Sequence, residues 1–298
     1  MASLLSGGRG HGHRSQTHRP PQLVATAREY AAGVRTPAEP RNAATVALTR
    51  RGGRGPEVYL LRRHAQMAFA AGMYVFPGGV VDERDDDAAL AWAGPGASAW
   101  AAQLGVAEPL ARALVAAAVR ETFEESGVLL AGPDPTSVVP DTTGTGWEAD
   151  RQALESRDLS LTELLARRGL VLRADLLGAW SGWLTPDFEP RRYRTWFFVA
   201  ELPQGQVTRD VSGESDSVTW LPAAEAVRAA DAGELLMLPP TYLTCLELAG
   251  FADPEAALAA AASRRVEMFM PELVDGAEPT LSHPPWLEGL IAGHREAP

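Results

Sequence analysis

The stretch "RETFEESGV", residues 120–128, constrains this chain more than any other. Three glutamates fall within five positions, and at about 100° per residue Glu121, Glu124 and Glu125 share one arc of a helix roughly 100° wide. Like charges at that spacing repel by roughly 0.2–0.5 kcal/mol per pair, so the crowding is a local cost unless a cation stands between them. The opposite arc carries Val115, Ala116, Val119 and Phe123, an apolar stripe that would seat the helix on a sheet and turn the carboxylates outward or into a cleft. Gly127 is placed to end the helix in the left-handed conformation. The competing reading is a solvated acidic face, ordinary on a chain of net charge −11.

At 298 residues the chain has room for one large domain with decorations or two small ones. All 27 basic residues are arginine, which reflects GC-rich coding more than a partner. The acidic balance argues against nucleic acid or an anionic membrane as partner and favours ligands that arrive as metal complexes. Cys245 is the single cysteine, so the chain has no internal disulfide or thiolate metal site, which fits a reducing, cytoplasmic location. No apolar run approaches the roughly 18 residues of a membrane span. The opening "MASLLSGGRGHGHRSQTHRPPQ" lacks the apolar core of a secretory signal. Residues 1–40 are expected to form a disordered tail, in which His11, His13 and His18 have no acidic or thiol partner with which to build a metal site. A short tail is expected at 291–298.

Ordered structure is expected from near Ala43, where "AATVALT" and "EVYLLRR" form a hairpin candidate around the linker "RRGGRGP". A short strand in "AGMYVFPGGVVDERDDD" runs into an acidic turn, and residues 88–118 are Ala-rich and mostly helical. Ser160 and Glu163 have capping-box spacing, with Gly169 closing that helix. "LLGAWSGWLT", "RTWFFVAEL" and "SVTWLP" read as strands, "AAEAVRAADAGE", "PPTYLTCLELAGF" and "PEAALAAAASRR" as helices, and "VEMFMPELV" as a late strand. Interleaved strands and helices without a repeat favour a mixed α/β sandwich.

The opening fragment resembles the second half of the Nudix box, G-x5-E-x7-R-E-U-x-E-E-x-G-U, where U is a bulky aliphatic residue. Arg120, Glu121, Glu124, Glu125, Gly127 and Val128 match, and Thr122 replaces an aliphatic residue. Counting back from Arg120, Arg112 occupies the place of the first glutamate and Val106 that of the glycine, so the box is not contiguous. Its first half stands upstream in "FPGGVVDERD", which supplies Gly79 and, in the glutamate's place, Asp85. Residues 86–119 separate Asp85 from Arg120, thirty-four where the family usually has seven. Loop-closure cost rises only logarithmically with length, so both halves can stay in register.

This divided box is similar to that of the Nudix hydrolases resembling the peroxisomal acyl-coenzyme A diphosphatases. The resemblance extends to "LLRRHAQMAFAAGMYVFPGG", "WLTPDFEPRRYRTWFFVAE" and "SVTWLPAAEAV", covering roughly residues 43–288. It implies a Nudix-type α/β/α sandwich with a mixed β-sheet, one domain over 41–290, and residues 86–118 as an insertion inside the box that is dispensable for metal binding. The activity implied is hydrolysis of a nucleoside diphosphate linkage, with coenzyme A or an acyl derivative as leading substrate and 3′,5′-ADP and 4′-phosphopantetheine as products. A related coenzyme A signature, L-L-T-x-R-(S/A)-x3-R-x3-G-x3-F-P-G-G, is met by Arg63, Gly72, Phe76, Pro77, Gly78 and Gly79, whereas Ala68 stands where its second arginine belongs. ADP-ribose, NADH or a nucleoside triphosphate therefore remain alternatives. So does a regulator that binds nucleotides without catalysis. A di-iron helical protein is disfavoured by the absence of any Glu-x-x-His pair.

Attack of water on a diphosphate needs its charge neutralised and the phosphorus held in line. Oxygen donors suit Mg2+ or Mn2+, and the ligands implied are Glu121, Glu124 and Glu125. Arg120 is expected to fix the helix to its loop, with Asp85 orienting it or meeting metal through water. Glu214 or Asp216 in "SGESDSV" is the candidate general base, the alternative being a turn residue. Gly78 and Gly79 would allow a tight turn and close approach to phosphate. Arg63 and Arg192, with Arg62, Arg191 and Arg194, carry forks suited to ligand phosphates. Trp180, Trp183, Tyr193, Trp196 and Trp220 could stack on adenine, although alternating strand aromatics more often form core. The partner implied is a small-molecule nucleotide substrate, with no nucleic acid and no membrane; a homodimer is compatible with this reading.

Overall fold

The computed structural model describes residues 21–67, 70–274 and 279–296. His11, His13, His18 and Ala68 lie outside the described residues. Helix α1 (Pro21–Ala31) occupies part of the expected disordered tail, which is thereby corrected: Val24 and Ala27, three residues apart, give it one face to bury.

Strands β1 (Arg41–Gly52) and β2 (Gly55–Arg63) pair antiparallel down to Gly52 opposite Gly55, so the expected linker is mostly strand. The chain continues through β3 (Tyr74–Val75), β4 (Gly78–Val80) and a 3-10 turn at Glu83–Asp85. There follow β5 (Trp92–Ala93), α2 (Ala97–Leu104), α3 (Glu108–Ser126), β6 (Ala131–Gly132), α4 (Thr145–Glu155), α5 (Leu161–Arg168) and β7 (Val171–Arg173). Next come β8 (Leu177–Leu184), β9 (Tyr193–Glu201), β10 (Ser215–Pro222), α6 (Ala223–Asp231), α7 (Pro239–Leu248) and α8 (Pro254–Ala261). The expected late strand is broken by Pro271 into β11 (Met268–Phe269) and β12 (Leu273–Val274). Then β13 (Thr280–Leu281) pairs with β12, and α9 (Glu288–Glu296) reaches into the expected C-terminal tail, with Ile291 buried.

The main sheet runs β10-β2-β1-β9-β8-β11, with β3 on β2 and β4 on β1. It is mixed, since β1–β9 and β8–β11 are parallel and the remaining pairs antiparallel. Alternation along the strands sorts residues onto two faces. Ala44, Val46, Leu48 and Phe198 join α2 and α3 in one core, whereas Ala47, Val58, Leu60, Phe197 and Val199 join α6, α7 and α8 in the other. The result is the α/β/α sandwich that the resemblance implied. Among the described residues no single helix is long and apolar enough to cross a membrane.

Helix α3 is one unbroken element of 19 residues, and it runs across the C-terminal boundary of the expected insertion. Its first three turns lie inside 86–118, where Ala111, Leu114, Val115, Ala117 and Ala118 are fully buried. From Ala113 to Ser126 the helix is buried all round, not on one stripe. Thr122 tolerates this because its Oγ1 donates to the Ala118 carbonyl at 2.7 Å. Gly127, at φ +74°, closes the helix as expected, its N–H donating to the Phe123 carbonyl.

Candidate active site

The three glutamates are each only 9% exposed, so a solvated acidic face does not describe them. Arg120 sits among them. Its Nε and Nη2 donate to the two Asp85 oxygens, each at 2.9 Å, and Nη1 donates to Glu121 Oε1 at 2.7 Å and to Glu124 Oε1 at 3.2 Å. Nη2 also reaches the Val80 carbonyl at 3.1 Å. The 3-10 turn that carries Asp85 is held by its own capping box, in which the Asp82 N–H donates to Asp85 Oδ2 at 2.8 Å. A side chain one carbon shorter than glutamate therefore suffices to hold Arg120.

Strand β4 lies over the same helix. The Gly78 N–H donates to Glu125 Oε2 at 2.9 Å. A Cβ on Gly79 would stand 2.5 Å from Glu121 Cδ, and one on Gly78 2.7 Å from the Thr45 Cα. Neither glycine has a positive φ. The close approach expected of them toward phosphate is in this structure an approach to β1 and to the Glu121 carboxylate, and the tight turn is not required.

Burial raises the Glu121 carboxyl to about 7 despite the neighbouring Arg120. Glu124 is raised for the same reason. Glu125 is pushed well above the usual carboxylate range, by burial first and then by the charge of Glu121. Burial alone would lower Arg120, but Asp85, Glu121 and Glu124 hold it above its ordinary value. Three carboxylates, Asp85, Glu121 and Glu124, thus face one guanidinium. Among the described residues no three acidic, histidine or cysteine groups stand as a ready ligating cluster, because Arg120 holds Glu121 and Glu124 while Gly78 holds Glu125. The donor chemistry still fits a hard divalent cation: it is all oxygen and buried, and a bound cation would favour the ionised carboxylates.

These groups open onto a cleft of about 570 Å³. Its lining includes the backbone of Gly78 and Gly79 and the charged Arg63 and Glu214, and its apolar part includes Met67, Phe76, Trp183 and Phe188. Arg63 Nη2 donates to Glu214 Oε2 at 3.1 Å, while Arg63 Nε is buried without a hydrogen-bond partner. Glu214 is exposed at the rim; Asp216 is not a cleft residue and stands 3.9 Å from Arg62. Trp183 and Tyr193 line the cleft, whereas Trp180 and Trp196 are core and Trp220 lies under Arg50.

Arg192 is a correction. It does not line the cleft; its Nε and Nη1 donate to the Thr185 and Ala38 carbonyls, both at 3.0 Å, and it pairs with Asp187. The cause is the two-residue period of a strand: Tyr193, Thr195 and Phe197 face the cleft, and Arg191 continues their parity where Arg192 breaks it. On β1 the same period brings Arg41, Ala43 and Thr45 to the cleft. Arg41, Arg84 and Arg157 are cleft residues that the sequence reading did not single out. Arg41 shows the parity of Ala43 and Thr45, but nothing in the sequence says which parity faces a ligand.

A mixed sheet between two helical layers, with a glycine strand laid over an Arg-Glu-x-x-Glu-Glu helix, defines the Nudix architecture. A family model described as the NUDT19 Nudix domain matches residues 94–248, just over half of the chain. The chain belongs to that family. The crystal structure of a NUDIX hydrolase from Alicyclobacillus acidocaldarius is similar, with 28% identity and a TM-score of 0.62 over 74% of this chain and 96% of that one. The putative nudix hydrolase 7 of Caenorhabditis elegans is 28% identical over 218 residues, 72% of this chain. Acyl-coenzyme A diphosphatase NUDT19 of Homo sapiens is 28% identical over 235 residues, 67% of this chain. The match spans 62% of the length of each of these two curated relatives.

Proposed function

We propose that the chain is a divalent-metal-dependent hydrolase of nucleoside diphosphate linkages, with coenzyme A or an acyl-coenzyme A as substrate. The observation that carries this reading is the reunion of Asp85 and Arg120 with Glu121, Glu124 and Glu125 at one cleft of about 570 Å³. That volume is in the range of small-molecule and cofactor sites.

Glu121, Glu124 and Glu125 would hold Mg2+ or Mn2+, which when bound supplies charge neutralisation at the diphosphate oxygens and makes water a better nucleophile. Arg120, fastened by Asp85, orients the Glu121 and Glu124 carboxylates. The Gly78 N–H orients Glu125, and the missing Cβ of Gly79 leaves Glu121 its place. Glu214 takes the proton from the attacking water, and Arg63 holds Glu214 at the cleft rim until substrate phosphate competes for the guanidinium. Met67, Phe76 and Trp183 offer apolar surface to the pantetheine or acyl arm.

The name carried by the human relative supports coenzyme A over other diphosphates, as do Arg63, Gly72 and the Phe76–Gly79 run of the partial signature. The test is a panel of coenzyme A, an acyl-coenzyme A, ADP-ribose and NADH with Mg2+ or Mn2+, read by product mass. Appearance of 3′,5′-ADP with (acyl-)4′-phosphopantetheine is expected. Efficient turnover of ADP-ribose or NADH beside intact coenzyme A would transfer the assignment to those substrates.

A further inference from the structure

Most arginines of the cleft are neutralised where they stand. Arg63 pairs with Glu214 at 3.1 Å, Arg84 with Asp82 at 3.1 Å and Arg120 with Asp85 at 2.9 Å, while Arg157 stands 3.7 Å from Asp82. Arg41 and Arg191 line the same cleft and have no ion pair or side-chain hydrogen bond among the described residues. Glu189, the acid nearest to Arg191 in sequence, also lines the cleft but already has an interaction partner. On a chain of net charge −11, two guanidiniums that face one cleft without an acidic partner are open to the negative charge of a ligand.

The fold brings the two together. Arg41 opens β1 and stands in register with Tyr193 at the start of the parallel neighbour β9, and the Arg41 N–H donates to the Arg192 carbonyl at 2.9 Å. Arg191 precedes Tyr193 by two residues and so keeps its parity. Gly78 pairs with Thr45, four residues along β1 from Arg41. Strand β4 runs antiparallel to β1 toward Arg41, with Gly79 opposite Ala44 and Val80 opposite Ala43, so at about 3.3 Å per residue the backbone of Arg41 is roughly 10 Å along β1 from the residue that faces Gly79, on which Glu121 packs. Arg41 and Arg191 thus stand in the cleft beyond the near end of β4, where they would meet a group about one sugar away from a diphosphate held at Glu121.

The geometry points to Arg41 and Arg191 as a subsite for a phosphomonoester on the nucleotide ribose, which reads the 3′-phosphate that distinguishes coenzyme A from its dephospho form, from ADP-ribose and from NADH. This rests on the coenzyme A reading and sharpens it. Two planar forks can share the oxygens of one phosphate dianion, and hydrogen bonds to such a charge are the strong ones. They are specificity residues; neither touches the Glu121, Glu124 and Glu125 group.

The test compares coenzyme A with 3′-dephospho-coenzyme A for the full chain and for R41Q, R191Q and R41Q/R191Q. Both arginines are exposed, so the unfolding midpoints should not move. Wild type should favour coenzyme A in kcat/KM by about 10–100-fold, the value of one or two charge-assisted hydrogen bonds. The double variant should bring that ratio to within about threefold of unity, through a higher KM for coenzyme A and an unchanged rate on the dephospho form. Equal wild-type turnover of the two compounds, or a double variant that keeps the preference, overturns the subsite and leaves coenzyme A hydrolysis in place. Cleavage of neither, with ADP-ribose or NADH consumed, overturns both.

Discussion

Arg120 and Asp85 stand 35 residues apart in sequence and meet through two parallel hydrogen bonds of 2.9 Å, with the Asp85 side chain 2% exposed and that of Arg120 10% exposed. This contact is where the divided motif becomes one site. Removing one partner of a buried pair leaves a charge without its counterpart, at a cost of about 3–5 kcal/mol. Glu121 and Glu124 retain part of the Arg120 guanidinium, so Asp85→Asn should lose about 2–4 kcal/mol of stability in urea denaturation of the metal-free protein. Turnover should fall as well, because Glu121 and Glu124 lose their anchor. An Asp85→Asn protein with wild-type stability and rate would mean that the pair orients nothing.

Gly79→Ala places a methyl group against the Glu121 carboxylate, which must leave its position. Misplacing a catalytic group by about 1 Å can cost 10²-fold in rate, so a loss of about 10² in kcat is expected while the chain stays folded. Gly72→Ala is the control: its φ of +70° makes alanine strained, but nothing stands within 4 Å of the added carbon. That variant should lose about 1–2 kcal/mol of stability and little rate per folded molecule. Equal rate losses in the two variants would discard the steric argument at Gly79.

Much of this site was legible because its chemistry is compact in sequence. Four charges in register, a glycine cap and a glycine strand survive a long insertion, and the capping box of Ser160 and Glu163 forms as read. Arg192 was not legible. An arginine pair at the mouth of a strand shows no preference between its two faces, and the face is decided by Thr185, Ala38 and Asp187, which come from elsewhere in the chain. The solvated alternative for the glutamates likewise required the tertiary fold to discard it, since β4 and the 3-10 turn at Glu83–Asp85 are what bury them. Helix α1 hid behind a polar, Arg-rich composition, its buried face marked only by Val24 and Ala27.

The raised Glu121 carboxyl gives stability a definite pH slope. Its folded value is about 7 against an ordinary 4.5, so between those values the folded state holds a proton that the unfolded chain has released. The stabilisation is complete below pH 4.5 and is lost as pH rises through about 7, on the order of 3 kcal/mol for a group so placed. Glu124 and Glu125 are raised and act in the same direction. Asp82 and Glu148, both held down at about 2 by arginines, titrate below this window and do not mask it. The metal-free protein should therefore melt lower at pH 8 than at pH 5. Mg2+ should raise its midpoint more at pH 8, and Glu121→Gln should flatten the slope. A midpoint that climbs steadily from pH 5 to 8 without metal, or an unchanged slope in Glu121→Gln, would contradict the assignment.

The segment between the two halves of the motif is the last test, because it separates what interrupts the sequence from what interrupts the structure. Replacing residues 86–118 with a short loop removes no candidate metal ligand, yet it deletes α2 and the first three turns of α3. Trp100 and Leu104, each 2% exposed, would go with them, as would Leu114 and Val115, which have no exposed surface. Trp196 would lose the Leu104 carbonyl that its indole N–H meets at 3.2 Å. Fully burying one such aliphatic side chain is worth about 1.5–3 kcal/mol, and four large apolar side chains are at stake against a total stability of about 5–15 kcal/mol. The shortened chain should not fold. Leu114→Ala, which leaves every candidate ligand in place, should lose about 2–5 kcal/mol, seen as a lower denaturation midpoint with metal absent. A soluble, cooperatively melting protein without residues 86–118 would show that α3 can be nucleated from Arg120 onward, and that the alanine-rich turns before it only decorate the fold.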